Sequence, residues 1–161
     1  MIWFEIILFL LIIIGAYNYQ KKWAPIHPLL HFHESIMKIG HRGAPLLAYE
    51  NTLSSFKKAI EAGVDGIELD VQQSSDGKLV VFHDWDLSNL TGSDKKIESL
   101  SSMDISNITF PNESENKYIP FFSEVVEILP KECLLIIEIK SAHILNTGIE
   151  KNILQIRKAL P

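Results

Sequence analysis

Two acids, Glu68 and Asp70, stand in GIELDV, a run that otherwise reads as a buried strand. Side chains alternate along a strand, so both carboxylates point to one face. A second apolar run, LLIIEIK, carries Glu138 and Lys140, which share a face by the same rule. An unpaired carboxylate inside an apolar strand is costly, so each acid needs a partner or a metal. A structural salt bridge is the simplest answer. Positions toward strand ends fit better with polar groups at the carboxyl ends of parallel strands, where α/β sheets and barrels place their active sites. Glu68, Asp70 and Glu138 form a hard oxygen-donor set. Such a set suits Mg²⁺ or Ca²⁺, and no thiolate is placed to favour zinc. His41 and His83 each close a strand-like run, and two histidines make a natural general acid and base near neutral pH. Arg42 and Lys140 add positive charge for an anionic group such as phosphate, which Arg can grip bidentately.

The elements that must position these residues follow from periodicity. A strand is predicted over 36–39, ending in Gly40-His41-Arg42-Gly43. Asn51-Thr52 opens a helix with Leu53, Phe56, Ala59 and Ile60 at helical spacing, and Gly63 stops it. Strands at 66–71 and 79–82 flank the turn cluster 74–77 and make a hairpin. Residues 88–118 are polar and irregular, with sequons at Asn89, Asn107 and Asn112 that such Asn/Ser-rich loops generate by chance. A helix from Pro120 through Leu129 ends at Pro130. The strand 134–139 follows, and then a helix with Ile149, Ile153, Ile156 and Leu160 on one stripe. Repeated βα units with near-continuous apolar strands predict a parallel sheet with helices outside.

The 161 residues allow one modest domain or part of a larger one, and 47% hydrophobic content excludes a disordered chain. A net charge of -5 leaves no basic footprint for nucleic acid. The one cysteine, Cys133, excludes an internal disulfide and reads as a small core residue rather than a reactive thiol. Residues 1–19 contain a single charged side chain, Glu5, and as a helix would span about 28 Å. Trp3, Tyr17, Tyr19 and Trp23 stand where interfacial aromatics would. A cleaved signal peptide would want a basic start and an A-x-A site, and neither is present. The expectation is a transmembrane anchor over 1–23. Lys21 and Lys22 then place the remainder on the cytoplasmic side of a single-pass membrane protein. Residues 24–37 read as a linker, in which His31 and His33 are more simply solvated than metal ligands.

The motifs His41-Arg42-Gly43, Glu50-Asn51-Thr52, Glu68-Leu-Asp70-Val, Val-Val-Phe-His83-Asp84, Ile119-Pro120 and Ile-Glu138-Ile-Lys140 together resemble the glycerophosphodiester phosphodiesterase family in order and spacing. The resemblance covers 39 to about 160. It implies a TIM (β/α)8 barrel of the phosphodiesterase type, with the domain over 38–161 and the family's small insertion at about 88–118. It implies a divalent cation, Mg²⁺ or Ca²⁺, on Glu68, Asp70 and Glu138, with Glu50 close by as a ligand-sphere residue. His41 and His83 would be the acid–base pair, with His41 as base and His83 as acid. Arg42 and Lys140 would hold the substrate phosphate. One departure is Tyr49, where the family usually has Pro before Glu-Asn-Thr.

The implied activity is metal-dependent hydrolysis of glycerophosphodiesters to glycerol 3-phosphate and an alcohol. The alternatives are a lysophospholipase D acting on lysophospholipids, and an inactive fragment or membrane-bound binding module. No lost histidine or acid favours the last. A complete barrel takes roughly 250 residues, so this chain supplies about three of the eight βα units. The expectation is therefore an N-terminal fragment whose open sheet edge leaves it poorly soluble and inactive alone.

Overall fold

A computed structural model of the chain describes residues 2–22, 36–110, 118–141 and 148–159. Residues 24–35 of the linker, with His31 and His33, lie outside the described residues, as do Trp23, Asn112 and Leu160. The chain divides into two compact units, 1–36 and 37–161.

The first unit contains helix α1, Ile2–Lys22. Its side chains from Trp3 to Tyr19 are exposed. Among the described residues, no helix is long and apolar enough to cross a membrane. This overturns the expected anchor over 1–23, the single-pass assignment and the cytoplasm-facing orientation built on them. The physical reason lies at both ends of the helix. Glu5 interrupts the first turn, and Tyr17-Asn18-Tyr19 closes the far end. The uninterrupted apolar run, 6–16, covers about 16 Å of helix axis, roughly half the hydrocarbon thickness.

The second unit is a four-stranded sheet built around β2, Gly66–Gln73. Strand β1, Ile39–His41, pairs parallel with the first half of β2, His41 opposite Glu68. Strand β3, Leu79–Val81, pairs antiparallel with the last residues of β2, Val81 opposite Val71. Strand β4, Leu134–Ile139, pairs parallel along 66–71, with Asp70 opposite Glu138. Gly66 pairs with both β1 and β4, and Val71 pairs with both β3 and β4. Since β4 fills one edge of β2, β1 and β3 must share the other. They approach end to end, with Arg42 N donating to Glu68 O (3.0 Å) and Phe82 N to Asp70 O (3.1 Å).

The helices follow their sequence signals. Helix α2, Leu53–Glu61, starts at Thr52, whose hydroxyl accepts from Ser55 N (3.1 Å). That bond satisfies one of the orphan donors of the first turn. Its apolar face, Leu53, Phe56 and Ala59, packs on Ile67, Leu69 and Val71 of β2. Two short helices, α3 (Ser88–Thr91) and α4 (Ser102–Ser106), flank a 3₁₀ turn at Ile97–Ser99. Helix α5, Phe122–Ile128, is steadied by Glu124, which accepts from Phe121 N (2.8 Å). Helix α6, Ile149–Ala159, brings Ile149 into the main core.

Two local expectations change. The first strand begins at Ile39, not Ile36, which is 96% exposed. The carboxylate of Asp65 accepts from Lys38 N (2.7 Å), and Asp65 N donates to Lys38 O (2.8 Å), so regular pairing starts only afterwards. The described part of the segment expected to be irregular, 88–110, joins its neighbours Leu87 and Ile119 in a second apolar cluster. Leu87, Ile97, Leu100, Ile105, Phe110 and Ile119 pack on Val80 and Phe82. Strand β3 is thus buried on both faces, with Leu79 and Val81 in the main core and Val80 in the second cluster.

Candidate active site

The site gathers where β1 and β3 meet the middle of β2. Glu68, Asp70 and Glu138 each offer a carboxylate oxygen, and these oxygens lie within 4.8 Å of one another. Asp70 is fully buried, and in-register pairing with Glu138 sets their distance. Asp70 Oδ1 is buried and accepts no hydrogen bond; the Lys140 ammonium, 3.5 Å away, is its ion-pair partner. Lys140 lies closer to Glu138, at 2.7 Å. The hydrogen bond from Lys140 lowers the Glu138 pKa, and the same bond raises that of Lys140. Three clustered carboxylates repel unless a cation neutralises them. A hard all-oxygen set with one orphaned buried oxygen fits a divalent ion such as Mg²⁺ or Ca²⁺.

Arg42 sits at the turn after β1 with φ of 53°, a left-handed value uncommon outside glycine. Several bonds hold it there. Its N–H donates to the main-chain oxygen and to Oε2 (3.1 Å) of Glu68, and its carbonyl accepts from Asn51 N (3.0 Å) and the Ser55 hydroxyl (3.0 Å). Ser55 Oγ also accepts from Ala44 N (2.8 Å). Gly43 follows at φ of 90°, where a Cβ would collide with Ser55. The guanidinium reaches Glu50 (Nη1 to Oε1, 3.0 Å) and Asp70 (Nε to Oδ2, 3.2 Å). Glu50 therefore orients Arg42, and it stands outside the three-carboxylate cluster.

The two histidines differ in their surroundings. The His41 side chain is 71% exposed, with Nε2 3.8 Å from Glu68 Oε2. His83 is partly shielded, and its Nδ1 lies 2.8 Å from Asp84 Oδ1. Burial pushes the Asp84 carboxyl up, but hydrogen bonds from Asn89 and His83 and the charges of His83 and Arg42 bring it below the usual range. A crevice lined by Tyr49, Glu50, Asn51, Phe82, His83 and Asp84 adjoins this pair. A larger cavity of about 210 Å³ opens beside Lys140, bordered by Gln72, Trp85, Lys96 and Glu98.

Some residues that build the site have roles that the sequence pattern alone does not assign. Asn51, buried and at φ of 55°, donates from Nδ2 to Asp70 Oδ2 (2.9 Å). Read as the entrance to a helix, it is also the neutral clamp on the central carboxylate. Gln72, on the face of Glu68 and Asp70, reaches the backbone around His83. An alternating polar stripe from 68 to 72 was the available hint. Tyr49 stacks on Phe110 of the second cluster, ring centroids 4.4 Å apart, so the departure from proline ties the 44–50 loop to that cluster. Cys133 is half-buried and burial pushes its thiol up, as a packing residue would show.

Comparison with known proteins bears on the family and the fold. The glycerophosphoryl diester phosphodiesterase family model matches residues 41–160. A glycerophosphodiester phosphodiesterase of Caldanaerobacter subterraneus is 40% identical over 123 residues, covering 73% of this chain and 50% of the relative. The crystal structure of a glycerophosphodiester phosphodiesterase from Thermotoga maritima is 37% identical with a TM-score of 0.65, covering 78% of this chain and 51% of that one. A phosphodiesterase of Oleispira antarctica, solved with the product sn-glycerol-3-phosphate, is 29% identical with a TM-score of 0.70, covering 77% and 52%. The chain spans about half the length of the bacterial curated relatives it matches and about a tenth of the longer animal ones. With the family model matching most of its length, the chain belongs to the glycerophosphoryl diester phosphodiesterase family.

Proposed function

We propose that the protein carrying this chain hydrolyses glycerophosphodiesters, releasing glycerol 3-phosphate and an alcohol. The observation that carries the reading is the juxtaposition of three carboxylates with two histidines and two cations around the middle of β2. Glu68, Asp70 and Glu138 would hold a divalent cation, Mg²⁺ or Ca²⁺. Such an ion polarises a phosphoryl oxygen and neutralises its charge.

The remaining chemistry belongs to the side chains. Arg42, held by Glu50 and Asp70, presents a fixed guanidinium to the phosphate. Lys140 adds a second positive charge on the side of the larger cavity. Together they stabilise the charge that builds up at phosphorus during in-line displacement. His41, exposed and next to Glu68, takes the proton from the water that attacks phosphorus. His83 gives a proton to the departing alkoxide as its bond to phosphorus breaks. Each histidine contributes about 10²- to 10⁴-fold.

The test is turnover of glycerophosphocholine with Mg²⁺ or Ca²⁺, followed by the appearance of glycerol 3-phosphate. Activity is expected to vanish with EDTA and return with added metal. Activity that survives chelation, or an intact phosphodiester pool after prolonged incubation with metal, refutes the proposal. Preferential cleavage of lysophosphatidylcholine would move the substrate class to lysophospholipids.

A further inference from the structure

We propose that Gln72, Asp84 and Asn89 form a cradle that presets His83, with Gln72 as its keystone: they fix the backbone on both sides of the ring and hold the proton on Nδ1. The inference rests on the reading of His83 as a proton donor to the leaving group, and it adds three positioning residues to that reading.

The need for a cradle comes from topology. Strand β3 ends at Val81, and its last ladder-like bond is Phe82 N to Asp70 O, so His83 and Asp84 lie beyond the sheet. Gln72 replaces the missing ladder. Its Nε2 donates to Phe82 O (2.9 Å) and to Asp84 O (2.8 Å), the carbonyls that bracket His83. One primary amide has two N–H groups to give, and both are used here. Gln72 is buried, so it stands in one place and leaves no slack. No other side chain type does this without cost. Glu has no donor, Lys would bury a charge, and Asn is one methylene shorter.

The second half of the cradle acts on the ring. Asp84 Oδ1 lies 2.8 Å from His83 Nδ1, and Asp84 Oδ2 accepts from Asn89 Nδ2 (3.0 Å). A carboxylate is an acceptor only, so the neutral ring keeps its proton on Nδ1 and leaves Nε2 free to carry the exchanging proton. Asn89 keeps the carboxylate from rotating away. Because Gln72 holds the carbonyl of Asp84, the backbone clamp and the tautomer lock are one device. Gln72 also continues the face that bears Glu68 and Asp70. One strand face therefore sets the positions of both the carboxylate cluster and His83.

The test uses the full chain labelled with ¹⁵N at histidine, with the His83 signals identified by their loss in His83→Gln. Spectra are taken at a pH high enough for neutral rings. The wild type is expected to show His83 as the Nδ1–H tautomer. Gln72→Leu and Asp84→Ala are expected to move it toward Nε2–H or to broaden it by exchange. Asn89→Ala, at an exposed position, is expected to do the same more weakly, and it remains informative if Gln72→Leu does not fold. In turnover, Gln72→Leu should lose about 10²-fold in kcat with KM nearly unchanged, as for a slightly misplaced catalytic group. An unchanged His83 tautomer in folded Gln72→Leu, or in Asn89→Ala where the former is unfolded, overturns the inference. Tautomer shifts in a protein with no phosphodiesterase activity would sustain the cradle and defeat the proposed function instead.

Discussion

Asn51 offers a sharp test of how the central carboxylate is held. It is 1% exposed, sits at φ of 55°, and donates to Asp70 Oδ2 at 2.9 Å. Two costs can be separated by substitution. Asn51→Gly deletes the hydrogen bond to a buried charged acceptor, a loss of about 1.5–3 kcal/mol. Glycine has no Cβ, so it relieves the left-handed strain that asparagine bears, while its greater freedom in the unfolded chain costs about 0.5–1 kcal/mol. Asn51→Ala deletes the same bond and keeps the Cβ that asparagine already places in that backbone, a strain of about 1–2 kcal/mol that glycine escapes. Both variants should therefore lose about 1–3 kcal/mol, with Ala worse than Gly by about 0.5–1 kcal/mol. Urea unfolding of the full chain, with equal slopes for all three proteins, measures the difference. The same variants loosen Asp70, so divalent-cation affinity should fall about 10- to 100-fold, as when a group supporting a metal ligand is removed. Losses under about 0.5 kcal/mol in both variants, a size typical of inconsequential surface changes, would refute the clamp. Equal stability of Gly and Ala would refute the role of backbone conformation.

Other outcomes follow from the same geometry. Glu68→Gln and Asp70→Asn should each abolish saturable Mg²⁺ or Ca²⁺ binding in calorimetry, whereas Glu50→Gln should leave that binding and lower turnover through Arg42. His83→Ala should cost about 10²- to 10⁴-fold in kcat while the fold, by circular dichroism, is unchanged. Asp76 is held down to about 2 by hydrogen bonds from the hydroxyls of Ser102 and Ser74 and from Ser102 N. Its folded pKa is below the ordinary 3.8, so the stability it contributes is complete above that value and is lost as pH falls toward 2. Acid unfolding followed by fluorescence should therefore lose part of its slope in that window in Asp76→Asn.

Much of this arrangement was legible from residue types. The alternation of Glu68 and Asp70, the apolar β4 with Glu138, and the Thr52 cap are local facts, and local rules read them. What stayed hidden depends on contacts between distant segments. The second apolar cluster draws Leu87, Ile97, Leu100, Ile105, Phe110 and Ile119 from a stretch with no helical or strand period, so periodicity could not find it. Asn51 and Gln72 look like ordinary polar residues until the sheet brings Asp70 and the His83 segment to them. The membrane span failed for a different reason. Mean apolarity over 1–19 concealed the polar residues at both ends, and the length of an unbroken apolar run decides whether a helix can span.

The junction of β1 and β3 explains why the two histidine-bearing segments converge on the same acids. The histidines are 42 positions apart in sequence, at 41 and 83, and neither belongs to the other's strand pair. A parallel strand entering from one end and an antiparallel strand entering from the other both stop at the middle of β2, because β4 occupies the opposite edge. The carbonyls of Glu68 and Asp70 bind the next amide of each incoming strand, Arg42 and Phe82. Those same two residues carry the carboxylates. Backbone pairing therefore brings each histidine-bearing segment to the acids, and side-chain bonds only refine the placement. It follows that a proline at Phe82, which removes the N–H given to Asp70 O, should disturb His83 while sparing His41. Histidine ¹⁵N spectra of Phe82→Pro would show this as a change confined to one ring, and equal perturbation of both would mean that the two strand ends are not positioned independently.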